Sequence, residues 1–368
     1  MSFTGKQIKA SPLCENRGVP AKVFAGATKS MSANPTAPGT LPRPEDLAPG
    51  EHYWSKASKD LRHRLNKAMP HDLLKELHHK SPARHFLVAA RQFGMLIAAS
   101  AVAWNFPQPW VWIPAALVSG WTVFNFTVLL HDALHHAVFN GPHPKGDRIL
   151  SLLYAIPSGI SASQFTRWHL THHAELGDAD ADPKRHYLSP RINKPWFKLL
   201  YFTPALFPIY FRAARKETAT YPEEIRRKIA RERLVTVLFH LSVLAAVWVI
   251  GGFEIAARVY LVPVFLVFPI AFALNRLGQH YAIDPRDPAK WGSILKPSRF
   301  WEFWYLSSAY HLEHHYFPGV PFYKLRRLHF ALRPFFDEIG WKTTTYGRLF
   351  RGWIFENKAP HTDWHLAG

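Results

Sequence analysis

The sequence predicts an all-α integral membrane protein with four transmembrane helices. Two observations predict it: four apolar runs of spanning length, and basic residues that avoid them. The runs are FLVAARQFGMLIAASAVAWNF (86–106), WVWIPAALVSGWTVFNFTVLL (110–130), LVTVLFHLSVLAAVWVIGGF (234–253) and RVYLVPVFLVFPIAFALNRLG (258–278). As helices, each is long enough to cross a hydrocarbon core of about 30 Å. Of the 45 Lys and Arg, only Arg91, Arg258 and, at the last exit, Arg276 fall within these runs or the short connections joining them in pairs. The positive-inside rule then sends the N-terminal tail, the 131–233 segment and the C-terminal third to the cytoplasmic side, both termini included. Buried helices of a large soluble protein are the rival reading. Apolar runs of about twenty residues joined by connections as short as PQP (107–109) are unusual in soluble cores.

Residues 1–50 are polar and rich in Pro, Ser, Ala and Lys, which predicts a disordered basic tail. The tail lacks the apolar core of a secretory signal; its basic, acid-poor start is faintly like a transit peptide, and an ordinary bacterial extension is the preferred reading. Segment 51–85 sets Leu61, Leu65, Leu73, Leu74 and Leu77 among charges, the pattern of amphipathic helices at a membrane interface. The membrane domain occupies 86–335, and 336–368 form a C-terminal cytoplasmic extension. Two weaker apolar stretches, ILSLLYAIPSG (149–159) and WFKLLYFTPALFPIYF (196–211), are short or broken by proline, which assigns them interfacial or re-entrant positions.

Composition narrows the chemistry. The single cysteine, Cys14, excludes a disulfide framework and any cysteine-built metal site, so a metal must be held by nitrogen or oxygen. The 22 histidines supply the nitrogen. A net charge of +19 spread over the connecting segments, with no recognisable nucleic-acid motif, excludes a nucleic-acid binder.

The predicted topology sends four histidine groups to one side of the membrane. HDALHH places His131 and His135 at i and i+4 as the second span ends. RWHLTHH gives His169, His172 and His173; the fourth span delivers His280; YHLEHHYF gives His311, His314 and His315. These spacings put imidazoles on one helical face, the arrangement for holding a metal. Nine imidazoles are too many for one ion, and two ions with four or five nitrogens each fit the count. Imidazole suits iron, copper, zinc and nickel alike. Asp132, Glu175 and Glu313 stand beside these groups and are candidates to accept hydrogen bonds from ring N–H groups. The run GDADADP (177–183) follows the second group and reads alone as a turn. Pro318 and Pro321 are expected to end the helix that carries the last group.

HDALH, HLTHH and HLEHH, in this order and interleaved with four spans, resemble the three histidine boxes of the membrane fatty acid desaturase superfamily, HxxxH, HxxHH and HxxHH. HLEHHYFPGVP is similar to the HxxHH-x-F-P-x-x-P ending of acyl-lipid desaturases, and RLGQH to the further histidine after the fourth span. The resemblance covers about residues 85–335. It implies four transmembrane helices under a cytoplasmic helical cap holding two irons, with O2 as co-substrate and a lipid acyl chain as substrate. Carried over by position, the metal ligands are His131, His135, His169, His172, His173, His280, His311, His314 and His315. His136 stands where many relatives have glycine and competes with His135 for the first box; Asn275 precedes His280 by five residues and is a further candidate near the metals.

The expected reaction is oxygen-dependent desaturation of the acyl chain of a membrane lipid or thioester. A carotenoid or other lipid hydroxylase or ketolase of the same superfamily is the alternative, and a membrane metal transporter the non-enzyme one. The substrate is expected to enter past the aromatics around Trp121, Phe124 and Phe126. No HPGG haem motif or flavin fingerprint is present, so electrons must come from an external ferredoxin or cytochrome. Lys324, Arg326 and Arg327 could dock such an acidic donor or anionic membrane lipids. The expected location is a bacterial inner membrane.

Overall fold

A computed structural model describes residues 41–178, 180–184 and 192–359, which lie in one compact unit, Gly39–Gly368. Most of the expected basic tail (1–40) and the end of the C-terminal extension (360–368) fall outside the described residues. Among those described, the backbone is helical, and its one isolated β-bridge pairs Leu295 with Thr344.

The N-terminal side opens with α1 (Tyr53–Ala57), α2 (Lys59–Ala68) and α3 (His71–His78). Leu61, Leu65 and Leu77 are buried, and Leu73 and Leu74 pack against the same core, so this leucine face turns toward the protein. Ion pairs to the C-terminal third hold it there: Arg64 bonds Glu338 at 2.9 Å, and Arg327 grips Glu76.

Prolines set the starts of the long helices. Pro82 and Pro109 sit at the first helical positions of α4 (Pro82–Asn105) and α5 (Pro109–Leu134), where a missing N–H costs no hydrogen bond. α6 (Pro144–Ala155), α7 (Ala162–Ala174), α8 (Pro195–Leu199) and α9 (Leu206–Ala219) follow, so the proline-broken stretches are short helices. α10 (Glu223–Ala256) continues through a π-helical stretch, Ala257–Val267, into α11 (Phe268–His280).

Among the described residues, three helical runs are therefore long and apolar enough to cross a membrane: Pro82–Asn105, Pro109–Leu134 and the 58-residue run Glu223–His280. The expectation of four separated spans meets a difference here, because no loop divides the last two. A straight helix of that length would reach about 87 Å and would hold residues twenty apart about 30 Å from each other. Instead His240 Nδ1 lies 2.6 Å from the Tyr260 hydroxyl, so the run doubles back on itself. The reversal is at Gly252 (φ 76°, ψ 179°), a backbone state essentially restricted to glycine.

α5 is the central helix; its residues from Thr122 to Leu130 are all buried. At Gly120 the folded-back run comes so close that a Cβ would stand 2.4 Å from Val267 Cβ and 2.5 Å from the Pro263 carbonyl oxygen. The outer helices carry the surface. Along α10, Val249 and Ile250 are 84% and 75% exposed, beside Leu234, Leu238, Leu241 and Phe253, an apolar patch suited to a lipid solvent.

The remaining helices are α12 (Arg299–Trp304), α13 (His311–Tyr316), α14 (Leu325–Glu338) and α15 (Tyr346–Phe350). α13 stops one residue before Phe317-Pro318, as the prolines require. The C-terminal segment is clasped by the fully buried Lys198, whose ammonium donates to the Trp353 carbonyl (2.8 Å), the Lys358 carbonyl (2.9 Å) and Asn357 Oδ1 (3.0 Å).

Candidate metal centre

Four elements bring their ends to one place: the end of α5 with His131 and His135, α7 with His169, His172 and His173, the end of α11 with His280, and α13 with His311, His314 and His315. α7 is fixed from outside. Glu232 of α10 accepts from the hydroxyls of Ser161 and Ser163 at 2.7 and 2.6 Å and from Ser163 N–H at 2.8 Å, placing a carboxylate at the positive end of the helix.

The nine imidazoles sort into two groups, His131, His135, His169, His173 and His314, and His172, His280, His311 and His315. Within each group the candidate donor nitrogens all lie within 4.8 Å of one another. α7 and α13 each serve both. His169 and His173, four residues apart, share the first group and His172 turns to the second; His311 and His315 share the second and His314 turns to the first.

The spacing of these nitrogens fits a metal. His135 and His169 bring Nε2 atoms to 2.9 Å, His173 and His314 to 3.1 Å, His280 and His311 to 2.9 Å, and His311 and His315 to 3.1 Å. With metal–nitrogen bonds of about 2.1 Å, neighbouring ligands stand about 3.0 Å apart at right angles and about 3.4 Å apart at tetrahedral angles. The observed separations match the right-angle value and fall short of the tetrahedral one.

Protons argue the same way. His172 Nδ1 donates to Asp182 at 2.8 Å and His280 Nδ1 donates to the Trp291 carbonyl at 2.6 Å, which fixes the proton of each neutral ring on Nδ1. Their Nε2 atoms then meet at 3.1 Å as two bare lone pairs. Burial pushes His169, His172, His173, His311, His314 and His315 well below the usual histidine pKa, so a shared proton does not relieve the repulsion. A cation between them does.

The carboxylates beside the boxes are engaged as follows. Asp132 accepts from His85 Nδ1 at 3.3 Å and from Phe322 N–H at 3.2 Å, tying α5 to the turn after α13. Glu175 accepts from His52 Nδ1 at 2.7 Å and Tyr53 N–H at 3.1 Å; Glu313, fully buried, accepts from His329 Nδ1 at 2.5 Å. His136 takes a left-handed backbone (φ 54°) and donates to Asp147 at 2.6 Å, outside both groups. Asn275 donates to Ser308 Oγ at 2.7 Å and accepts from Gln279 at 2.9 Å, lining the cavity beside the imidazoles. Sequence reasoning missed the partners that do hold ring nitrogens. Asp182 lay within GDADADP; Trp291 acts through a carbonyl, which leaves no signal in the sequence.

The cavity runs along His131, His169, His311 and His314 between apolar walls that include Phe124, Val128, Phe268 and Phe272. Phe124 faces it, whereas Trp121 packs on Tyr305 and Phe126 on Phe93. The basic residues after the last box are partly engaged within the chain: Lys324 with the carbonyls of Glu76 and His79, Arg326 with Glu302, and Arg327 with Glu76.

Residues 107–347 match the fatty acid desaturase family. The chain is 25% identical over 260 residues to the sphingolipid delta(4)-desaturase/C4-monooxygenase DES2 of Bos taurus, covering 67% of this chain and 73% of that protein. It is 24% identical to the sphingolipid delta(4)-desaturase DES1 of Drosophila melanogaster, covering 67% and 74%. It is 22% identical to the dihydrorhizobitoxine desaturase of Bradyrhizobium elkanii, covering 63% and 70%.

Proposed function

The chain belongs to the fatty acid desaturase family, and from that premise we propose that it is an oxygen-dependent lipid acyl desaturase whose nine imidazoles hold two irons. The observation that carries this reading is the placement of two all-imidazole groups against an apolar cavity. His131, His135, His169, His173 and His314 would hold one iron, and His172, His280, His311 and His315 the other. The donor set alone suits several metals, and iron is the reading we take with family membership in support.

When bound, the iron pair supplies, with O2 and electrons, the oxidising power to take hydrogen from an unactivated methylene. The overall balance is one –CH2–CH2– unit, O2, two electrons and two protons going to one –CH=CH– unit and two waters. The chain's own part is positional. Asp182 and the Trp291 carbonyl keep the Nδ1 protons of His172 and His280 in place, so Nε2 stays free to bind. Phe124, Val128, Phe268 and Phe272 hold an acyl chain straight against the imidazoles and keep water away.

The doubled-back run is read as two crossings, which with α4 and α5 makes four and leaves both termini and the helical cap on the cytoplasmic side, in a bacterial inner membrane. Domain limits follow: a tail to about residue 50, the 51–85 helices, the membrane domain 86–335 and the extension 336–368. An external ferredoxin or cytochrome delivers the electrons. A hydroxylated product is the second reading, since the Bos taurus relative's name joins a desaturase to a monooxygenase. Metal transport is disfavoured: the imidazoles stand at helix ends, and His240, within α10, is held by Tyr260 and the Ile156 carbonyl.

The test is lipid profiling by mass spectrometry of a host expressing the wild type against one expressing His314→Ala, with iron counted on the purified proteins. New alkenes and about two irons per chain are expected from the wild type alone, two being the count that nine imidazoles allow. Zinc alone in active protein, or full activity in the variant, would sink the reading.

A further inference from the structure

Two cations line the cavity at the level of the imidazoles, and the one carboxylate in its lining, Asp132, is engaged by His85 Nδ1 and the Phe322 N–H instead of by either of them. The cations are Arg276 and Lys184. Arg276 stands four residues before His280 on α11, about one helical turn or 6 Å away along the same face. Its Nη1 donates to Gln279 Oε1 at 3.1 Å; Gln279 donates to Asn275 and Asn275 to Ser308, so one polar stripe runs along the wall.

Neither cation is ion-paired among the described residues. Asp182, the carboxylate that acts on Lys184, is already receiving His172 Nδ1 and the Lys184 backbone N–H. Burial first, and then the nearby Arg276 guanidinium, push Lys184 well below the usual lysine pKa, the condition of an ammonium short of negative charge. Charges are rarely kept in an apolar enclosure without an opposite charge. The nine imidazoles are neutral ligands, so metals bound there would add positive charge and bring no anion.

We propose that this cavity takes an amphiphile whose head is an oxyanion, a carboxylate or a phosphate monoester, gripped by the Arg276 guanidinium and the Lys184 ammonium while its chain lies along Phe124, Phe268 and Phe272. A guanidinium fork matches two oxygens of either head, and an ammonium adds a point charge beside it. With the head held one turn from His280, the methylenes presented to the imidazoles are those near the head, not those at mid-chain. That statement about position rests on the desaturase reading; the binding does not.

The experiment is competition against radiolabelled hexadecanoate bound to the full-length, metal-loaded protein in nonionic detergent. Hexadecanoate, hexadecyl phosphate and hexadecanol are the three competitors, equal in chain and different in head. At least one anion should compete about tenfold or more better than the alcohol, the scale of one charge-assisted pair, and the better anion names the head. The double variant Arg276→Gln, Lys184→Gln should lose that preference while still binding hexadecanol. Equal competition by alcohol and both anions on the wild type, which needs no variant to fold, overturns the proposal, as does a preference that survives in the double variant. Alkene formation scored on the same wild-type preparation, supplied with O2 and a reduced ferredoxin as electron donor, separates the two ideas. Alkenes without head selectivity overturn the oxyanion site and leave desaturation standing; head selectivity without alkenes upholds the site and overturns desaturation.

Discussion

His172 Nε2 and His280 Nε2 face each other at 3.1 Å with the ring proton of each already committed, to Asp182 and to the Trp291 carbonyl. The arrangement is repulsive without a cation and favourable with one. Chelation should therefore lower the melting temperature of the purified protein, and re-addition of Fe2+ under anaerobic conditions should restore it. Saturation at a hundredfold excess over Kd is worth about 2.7 kcal/mol of stability. An unchanged melting curve after complete metal removal would contradict a metal-bridged pair.

Asp182→Ala frees the His172 ring to turn and to move its proton to Nε2. Iron affinity at the second group should fall by about 10–100-fold, the usual effect of losing such a partner. Iron content after dialysis at graded free-iron concentrations reads this directly. A variant that retains iron like the wild type would remove Asp182 from this role.

Val128 lines the cavity on α5 and is buried. Val128→Trp should fill the path of an acyl chain, lowering product by about tenfold or more while iron content stays near wild type, because a chain displaced by even about 1 Å loses its reactive geometry. Product yield and iron count on one preparation settle it; normal product would show that the chain runs elsewhere.

Gly252 occupies a backbone state that a side chain meets at a cost of about 1–3 kcal/mol. Gly252→Val should reduce the yield of monodisperse protein and its melting temperature. Gly340→Ala is the control, since Gly340 (φ 64°) is likewise left-handed with open space around it and lies outside the doubled-back run. Equal stability of the two variants would argue against a forced reversal.

Lys198→Met leaves the Trp353 and Lys358 carbonyls and Asn357 Oδ1 without their shared donor. Each lost partner of this kind costs about 1–3 kcal/mol. Limited proteolysis should cut the C-terminal segment after 350 faster than in the wild type, with iron content unaffected.

The parts legible in the sequence are the local ones. His131 with His135 and His311 with His315 were readable because four residues make just over one helical turn, and the apolar runs because membrane solvent demands them. How α7 and α13 divide their histidines between two groups depends on how four elements are packed, which spacing alone does not give. Asp132, Glu175 and Glu313 sit one or two residues from a box histidine. A helix turns each successive residue by about 100°, so such neighbours point away from the rings and found His85, His52 and His329 instead. The reversal at Gly252 was hidden for another reason: one glycine conformation makes it, with no turn sequence longer than Gly251-Gly252 to announce it.

The sharing of α7 and α13 between the two histidine groups bears on how the centre is filled. If two ions bind, ordering these helices around the first would also fix His172, His311 and His315, or His169, His173 and His314, before the second arrives. The entropy of arranging those rings is then largely spent once for both. Uptake is expected to be cooperative: chains carrying no iron and chains carrying two, with singly loaded chains scarce even when iron is limiting.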